Sequence, residues 1–522
     1  MRAATTETPV PDGLQDEVFA FLADASHHGG HGVRRIDTHA ASVFLAANRA
    51  YKVKRAVRFP FLDYSTLALR KAACVQELEV NRRFAPQIYL RVVPITRATD
   101  GSLHIGGDGE AVEWAVEMQR FDSEATLDHL AAAGPLPPHL ATQMADAIVA
   151  SHRSAPPAAD ARWVAAIPAL ITANTDTFVA EAAFPADRIS TLDHDSHAAF
   201  LQLRDLLERR MQAGLVRRCH GDLHLANIAL IDDRPVLFDA IEFDPALATT
   251  DILYDLAFPL MDLLAAGQAQ AANILFNRYL SLMPDAGIEG LTALPLFLSL
   301  RAAIRANVLL RRRPVACDDG AATSYFDLAR RLIAPVPPSL VAVGGLSGTG
   351  KSRLARDLAA GIGPAPGAVL LRSDIIRKQL FGVDELARLP SAAYQPAVTE
   401  RIYRELALRA RTVLATGHAV VVDAVFAASS ERAAIADTAR ALGVPFSGLF
   451  LSADLATRVQ RIGQRRNDAS DATPQIARMQ DAYDLGAIDW HAIDASGSPG
   501  DTLARSMRAL GGARSGDQRC ST

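Results

Sequence analysis

The stretch that decides the fold of the C-terminal third is Leu340-Val341-Ala342-Val343-Gly344-Gly345-Leu346-Ser347-Gly348-Thr349-Gly350-Lys351-Ser352. Its first four residues form a short apolar run that reads as a buried strand. From Gly345 onward it fits GxxxxGK[ST] at every fixed position. Glycines at 345, 348 and 350 let the backbone curl so that successive N–H groups face one point. A helix starting near Lys351 aims its positive end at the same point. Ser347, Thr349 and the glycines would cradle phosphate with backbone N–H groups, Lys351 would reach the β- and γ-phosphates, and the Ser352 hydroxyl would face Mg²⁺.

Outward from this loop, strands and helices alternate. Strands are predicted at 340–344, 368–372, 418–423, 446–452 and near 490–494. Helices are predicted at 351–362, 397–415 and 429–442. This alternation implies a parallel sheet flanked by helices. Strand C-termini in such a sheet face the ligand crevice. Asp423, ending Val420-Val421-Val422, is therefore a candidate metal ligand, with a helix N-cap as the alternative. Asp374, after the strand ending at Arg372, is a candidate base for a substrate hydroxyl, and Arg377 a grip for an anion. A capped helix start is the alternative there. Arg458, Arg461, Arg465 and Arg466 suit a mobile lid over phosphate. Spacing does not decide which of them reaches it, and a solvated helix face is the alternative.

Ala334-Pro335-Val336-Pro337-Pro338 cannot continue a helix and makes a stiff connector, so two domains are expected, 1–338 and 339–522. The chain of 522 residues has room for both. Hydrophobic residues at 49% and charged residues at 21% exclude wholesale disorder. A net charge of -4 excludes a general nucleic-acid coat. The charge is uneven, with -8 over 1–338 and +4 over 339–522. Four dispersed cysteines (Cys74, Cys219, Cys317 and Cys520) argue against a disulfide framework. The N-terminus has no apolar core, and the most apolar stretches break at Asp262 and Arg301. A cytoplasmic protein without a membrane span is expected.

Only five residues are lysine, at 52, 54, 71, 351 and 378, against 49 arginines. Lys52 and Lys54 lie on one predicted strand, Ala50–Lys54, and alternation puts both on one face. Strands are also predicted at Ala41–Leu45, Ile88–Pro94 and Val112–Met118, with a helix over Leu67–Phe84. This small lobe, about 30–120, precedes a helical one, about 121–334. In the second lobe His220-Gly221-Asp222-Leu223-His224-Leu225-Ala226-Asn227 is followed by a hairpin-like stretch and Phe238-Asp239. An acid, an amide five residues on, and a second acid at a strand end are what phosphoryl transfer requires. A zinc pair at His220 and His224 needs a helix, and Gly221-Asp222 argues for a loop.

These segments resemble two families. The loop half is similar to P-loop small-molecule kinases related to gluconate kinase, zeta-type toxin kinases and the 5′-kinase of polynucleotide kinase. Asp374 and Arg377 resemble the acceptor-activating pair of the last. The other half resembles the aminoglycoside phosphotransferase family, a branch of the protein-kinase-like fold. That resemblance implies Asp222 as catalytic base, Asn227 and Asp239 as metal ligands, and His220 as a brace. It implies Lys52, with Lys54 in reserve, as the phosphate-binding lysine. Its partner would be Glu77, preferred over Glu79, and Met118 would lie at the adenine hinge. The glycine-rich nucleotide loop is missing, since Thr38-His39-Ala40-Ala41-Ser42 contains no glycine. The whole chain looks like two-domain bacterial proteins that join both types.

The fold class expected is α/β multidomain, an N-terminal bilobal kinase-like α+β fold followed by a P-loop domain. The expected activity is bifunctional: ATP-dependent, Mg²⁺-assisted phosphotransfer to small-molecule hydroxyls, with one site in each half. Two alternatives stand beside it. In one the N-terminal half is a binding or regulatory module. In the other the C-terminal half is a polynucleotide 5′-kinase, against which stands the lack of an aromatic-interleaved basic patch.

Overall fold

The computed structural model describes residues 13–59, 62–158, 162–311, 320–464 and 468–516. It divides the chain into two compact units. One comprises Met1–Ala169 with Leu207–Asp262, the other Leu170–Leu206 with Leu263–Thr522.

In the first unit, β1 (Val33–Asp37), β2 (Ala41–Ala46), β3 (Arg49–Lys54), β4 (Tyr89–Arg97), β5 (Leu103–Ile105) and β6 (Glu110–Gln119) form one sheet. Its order is β1-β2-β3-β6-β4-β5, antiparallel throughout. Alternation along β3 sorts its side chains. Tyr51 and Val53 enter a core with Val18, Phe19, Leu22, Phe44, Val93, Ile95 and Ala115. Lys52 and Lys54 therefore take the opposite face. The helix Leu67–Asn81 packs on β6 and is capped by the Thr66 hydroxyl, which accepts from Leu69 N–H. Further along, β7 (Ile228–Ile231) and β8 (Arg234–Leu237) make an antiparallel hairpin.

The second unit contains a five-stranded parallel sheet of β9 (Leu340–Gly345), β10 (Val369–Arg372), β11 (Val420–Asp423), β12 (Phe446–Ser452) and β13 (His491–Asp494). Its order is β10-β11-β9-β12-β13. Val341, Val343, Val421, Leu449 and Leu451 of the sheet pack with Leu354, Ala355 and Leu358 of the helix Lys351–Ala359. The connections run through helices, as parallel strands require. The mixed α/β class and the parallel sheet expected from the alternation are both present.

The compact units depart from the cut at 338. Residues from Leu263 on group with the phosphate-loop sheet, and polar side chains of the helix Ala269–Leu282 explain why. Asn273 Nδ2 donates to the carbonyls of Pro366 and Ala368, each at 3.1 Å. Asn277 accepts from Leu370 N–H at 2.6 Å and donates to Ala368 O at 3.1 Å. These bonds run along the outer edge of β10 and satisfy backbone groups that no neighbouring strand reaches.

A second departure concerns apolar runs. The helical stretch Pro284–Arg311 is long and apolar enough to cross a bilayer, despite Arg301, and most of it is buried inside the protein. Cys74 and Cys219 are buried free thiols, while Cys317 and Cys520 lie outside the described residues.

Candidate functional sites in the two units

On the polar face of β3, Glu77 from the helix Leu67–Asn81 lies between the two lysines. Lys52 Nζ is 2.6 Å from Glu77 Oε1, and Lys54 Nζ is 2.7 Å from Oε2. Each lysine has a second acid. Lys52 meets Asp239 Oδ1 at 2.8 Å, and Lys54 meets Glu242 Oε1 at 2.7 Å. Burial alone would raise the Glu77 carboxyl, but the two ammonium groups outweigh it and hold the pKa down at about 2. Burial likewise opposes the charge on Lys52, yet Asp239 and Glu77 keep its pKa well above the ordinary lysine value. Lys54 is raised in the same way by Glu77 and Glu242.

A stability prediction follows. A depressed carboxyl contributes stability that is present above its ordinary pKa near 4.5 and lost as pH falls toward about 2. The raised lysines contribute stability that is full below their ordinary pKa and lost as pH rises through the folded value. Glu77→Gln should cost about 3–5 kcal/mol at pH 7, because it leaves buried ammonium groups undercompensated. Urea unfolding at pH 7 and pH 3 checks this. The gap between wild type and variant should narrow at pH 3.

The loop 220–227 is held from beneath. Gly221 is left-handed at φ 85°, and a Cβ there would lie 2.9 Å from Ala248 Cα. Its N–H donates to Asp255 Oδ1 at 2.9 Å, and Leu225 N–H donates to Asp262 Oδ2 at 3.1 Å. Both acids project from one apolar helix, Ile252–Ala265. His152 Nε2 braces Asp255 at 3.2 Å. Burial lowers the pKa of His220. Its Nε2–H donates to Phe238 O at 2.9 Å, since a carbonyl can only accept. Asn227 Nδ2 donates to Asp222 O at 2.9 Å and Oδ2 at 3.2 Å, which directs its Oδ1 away from the loop. Phe238 N–H donates to Asn227 O at 3.0 Å, so Asn227 and Asp239 adjoin at the open end of the hairpin. Asp239 is itself left-handed at φ 60°, with its N–H on Tyr89 Oη at 3.1 Å.

Lys52, Glu77, Asp239, Asn227 and Asp222 are thus linked by contacts within one unit. Met118 pairs in register with Ala50 and Tyr89 and packs with Tyr89, Val116 and Val236. The glycine-free turn is closed on itself by Thr38 N–H to Ala41 O at 2.8 Å. The sequence assigns no role to Glu242 or Asp255, and marks Asp262 only as a break in an apolar stretch. Acids set in the apolar run of residues 251–265 were the available signal for the last two.

In the second unit, β9 runs into the phosphate loop. Gly348 is left-handed at φ 89°, and a Cβ there would lie 2.6 Å from Arg458 O, so only glycine fits. Gly350 caps the helix carrying Lys351 and Ser352. Gly345 N–H donates to Val425 O at 3.1 Å. Thr349 Oγ1 and Lys351 Nζ both donate to Leu346 O, at 2.9 and 3.1 Å. Ser347 N–H donates to the side chain of Gln480 at 2.7 Å.

Asp423 lies in register beside Val343 on β9 and Arg372 on β10. Arg372 Nε is 3.3 Å from Asp423 Oδ2, and its Nη2 is 3.3 Å from Asp468 Oδ1. Burial, then repulsion by Asp423, raises the Asp374 pKa against the pull of Arg372 and Lys351. Arg377, buried, donates to Ala393 O and stacks on Tyr394 with its guanidinium 4.8 Å from the ring centre.

The arginine cluster read as a lid is placed differently. Arg458 is buried and donates to Ser347 O at 3.0 Å, Ala477 O at 2.9 Å and Asp481 Oδ1 at 2.9 Å. Arg461 donates to Ala495 O and Gly497 O, each at 2.8 Å. Both therefore bind backbone carbonyls, and Arg461 is directed to the turn after β13 instead of the phosphate loop. Arg465 and Arg466 lie outside the described residues.

Residues 45–293 match the model of a phosphotransferase enzyme family, and residues 340–485 match that of an AAA domain. An uncharacterized protein of Mycobacterium tuberculosis is 29% identical over 484 residues, covering 88% of this chain and 92% of its own length. Among solved structures, a gluconokinase from Sinorhizobium meliloti is 20% identical, covers 36% of this chain and 100% of its own, and gives a TM-score of 0.27. A choline/ethanolamine kinase family protein from Mesorhizobium loti is 15% identical, covers 62% of this chain and 95% of its own, and gives 0.35.

Proposed function

We propose, for a chain that joins a domain of the phosphotransferase enzyme family to an AAA-type P-loop domain, that both domains transfer the γ-phosphate of ATP to hydroxyl groups of small molecules. The observation that carries this reading is Lys52 drawn to Asp239 across 187 residues, with Asn227 adjoining Asp239 and Asp222 bonded to Asn227. A second set, Lys351 with Asp374 and Asp423, stands at the strand ends of the other unit.

The donor sets suit magnesium. Asp239 and Asn227 offer a carboxylate and an outward amide oxygen, and Ser352 and Asp423 offer a hydroxyl and a carboxylate. All are hard oxygen ligands. Magnesium, when held there, would neutralise charge on the phosphate oxygens. The remaining work belongs to the chain. Lys52 and Lys351 are compact cations suited to the phosphates. Asp222 accepts the proton of an acceptor hydroxyl in the first unit. Asp374 does so in the second, where its raised pKa makes it the better base. Each group is anchored before substrate arrives, so positioning supplies most of the acceleration.

The closed, glycine-free turn at 38–41 favours a second reading, in which the first domain only binds or regulates. Calorimetric titration with ATP and Mg²⁺ separates the two. The full chain should bind two nucleotides, Lys351→Ala should retain one, and Asp239→Ala in that background should abolish it. One nucleotide on wild type and none on Lys351→Ala would favour the second reading.

A further inference from the structure

The phosphate loop is capped by the chain's own side chain. Its Gly345 and Thr349 amides are taken by backbone carbonyls of Val425 and Leu346, at 3.1 and 3.3 Å. Ser347 N–H has a different kind of partner, the carboxamide oxygen of Gln480 at 2.7 Å, 133 residues downstream. Gln480 ends the short helix Pro474–Gln480 and is buried. Arg458 holds Ser347 O and, on the same helix, Ala477 O. The N–H and the C=O of one loop residue are thus both tied to a single helix. An oxygen acceptor set on an N–H of a loop of this shape is what a phosphate oxygen would supply.

The residues just before that helix contact the other half of the site. Thr473 caps the helix, its hydroxyl accepting from Ile476 N–H. Asp468 meets Arg372 at 3.3 Å, and Arg372 is one of the charges that act on the Asp374 carboxyl. Asp471 is the hub. It takes Lys378 Nζ at 2.8 Å, Leu389 N–H at 3.1 Å and Tyr394 O–H at 2.5 Å. Tyr394 in turn carries Arg377 on its ring. Residues 468–481 therefore attach to the phosphate loop at one end and to the surroundings of Asp374 and Arg377 at the other.

We propose that residues 468–481 form a strap that nucleoside triphosphate must lift. Phosphate displaces Gln480 from Ser347, the helix 474–480 shifts, and Asp471 releases Lys378, Leu389 and Tyr394. The acceptor then gains its side of the site only after nucleotide is seated. The exchange at Ser347 N–H favours phosphate, because an amide donates about twice as strongly to an ionised phosphate oxygen as to a neutral carboxamide. This rests on reading 345–352 as a nucleotide loop.

The test uses the full chain carrying Lys52→Met, which silences the other proposed nucleotide site, with Mg²⁺ and the non-hydrolysable analogue AMPPNP. Hydrogen–deuterium exchange should slow over 345–352 and quicken over 474–480 and 389–394. Gln480→Ala removes the competing acceptor and should bind the analogue about fivefold more tightly. Asp471→Asn should quicken exchange over 389–394 before nucleotide is added, leaving less for AMPPNP to release. Slowed exchange over the loop with unchanged or slower exchange over 474–480 overturns the strap and leaves the nucleotide loop standing. Unchanged or weaker binding by Gln480→Ala overturns it too. Absence of any AMPPNP binding overturns the loop reading, and the strap falls with it.

Discussion

Lys351→Ala is expected to lower kcat/KM for the P-loop unit's phosphotransfer by about 10²–10³-fold, the scale set by removing one preorganised charge from a phosphoryl-transfer site. Lys351 Nζ now lies 3.1 Å from Leu346 O, inside the loop it would serve. Its loss removes a cation without removing a core side chain, so the thermal unfolding midpoint should move little. ADP release with a panel of hydroxyl acceptors reads the effect. Any activity of the first unit should persist, because Lys351 belongs to the other compact unit. Loss of all phosphotransfer in this variant would sink the claim that the two sites act independently.

The complementary change, Asp222→Ala, should lower kcat of the first unit's reaction by about 10³-fold, within the roughly 10²–10⁴-fold range of a positioned general base. KM for ATP should stay within about twofold, since Lys52, proposed to bind phosphate, is untouched. The fold should tolerate the change. The loop is held by backbone amides on Asp255 and Asp262, and the Asp222 side chain is 40% exposed. Steady-state kinetics beside a melting curve checks both halves of the expectation. A drop in kcat accompanied by a collapse in stability would assign Asp222 a structural role.

Two parts of the candidate sites were open to reading from the amino-acid order because they are local. Gly345–Ser352 and His220–Asn227 each concentrate their functional groups within one loop, where spacing fixes geometry. Strand alternation likewise put Lys52 and Lys54 on one face. Pairings across distance were harder. Glu77 was chosen as one of two helix acids, but its sharing between both lysines depends on how the helix lies against β3. Gln480 gave no signal, since a glutamine on a short helix has nothing to mark its partner 133 residues away. Arginine was the least legible. A long, rigid fork of donors suits phosphate and backbone carbonyls equally, and Arg461 found the carbonyls of Ala495 and Gly497. The prolines at 335, 337 and 338 mark a real break in helix, yet not the seam between compact units.

That last point has a practical side. β10 is a border strand of its sheet, and the carboxamides of Asn273 and Asn277 occupy its outward backbone groups at Ala368 and Leu370. Cutting the gene at the proline run would deliver a fragment whose border lies bare. A bare border recruits the next copy of itself, so such a truncation should accumulate as insoluble material. A recombinant version of the nucleotide-loop half therefore has to retain the asparagine helix.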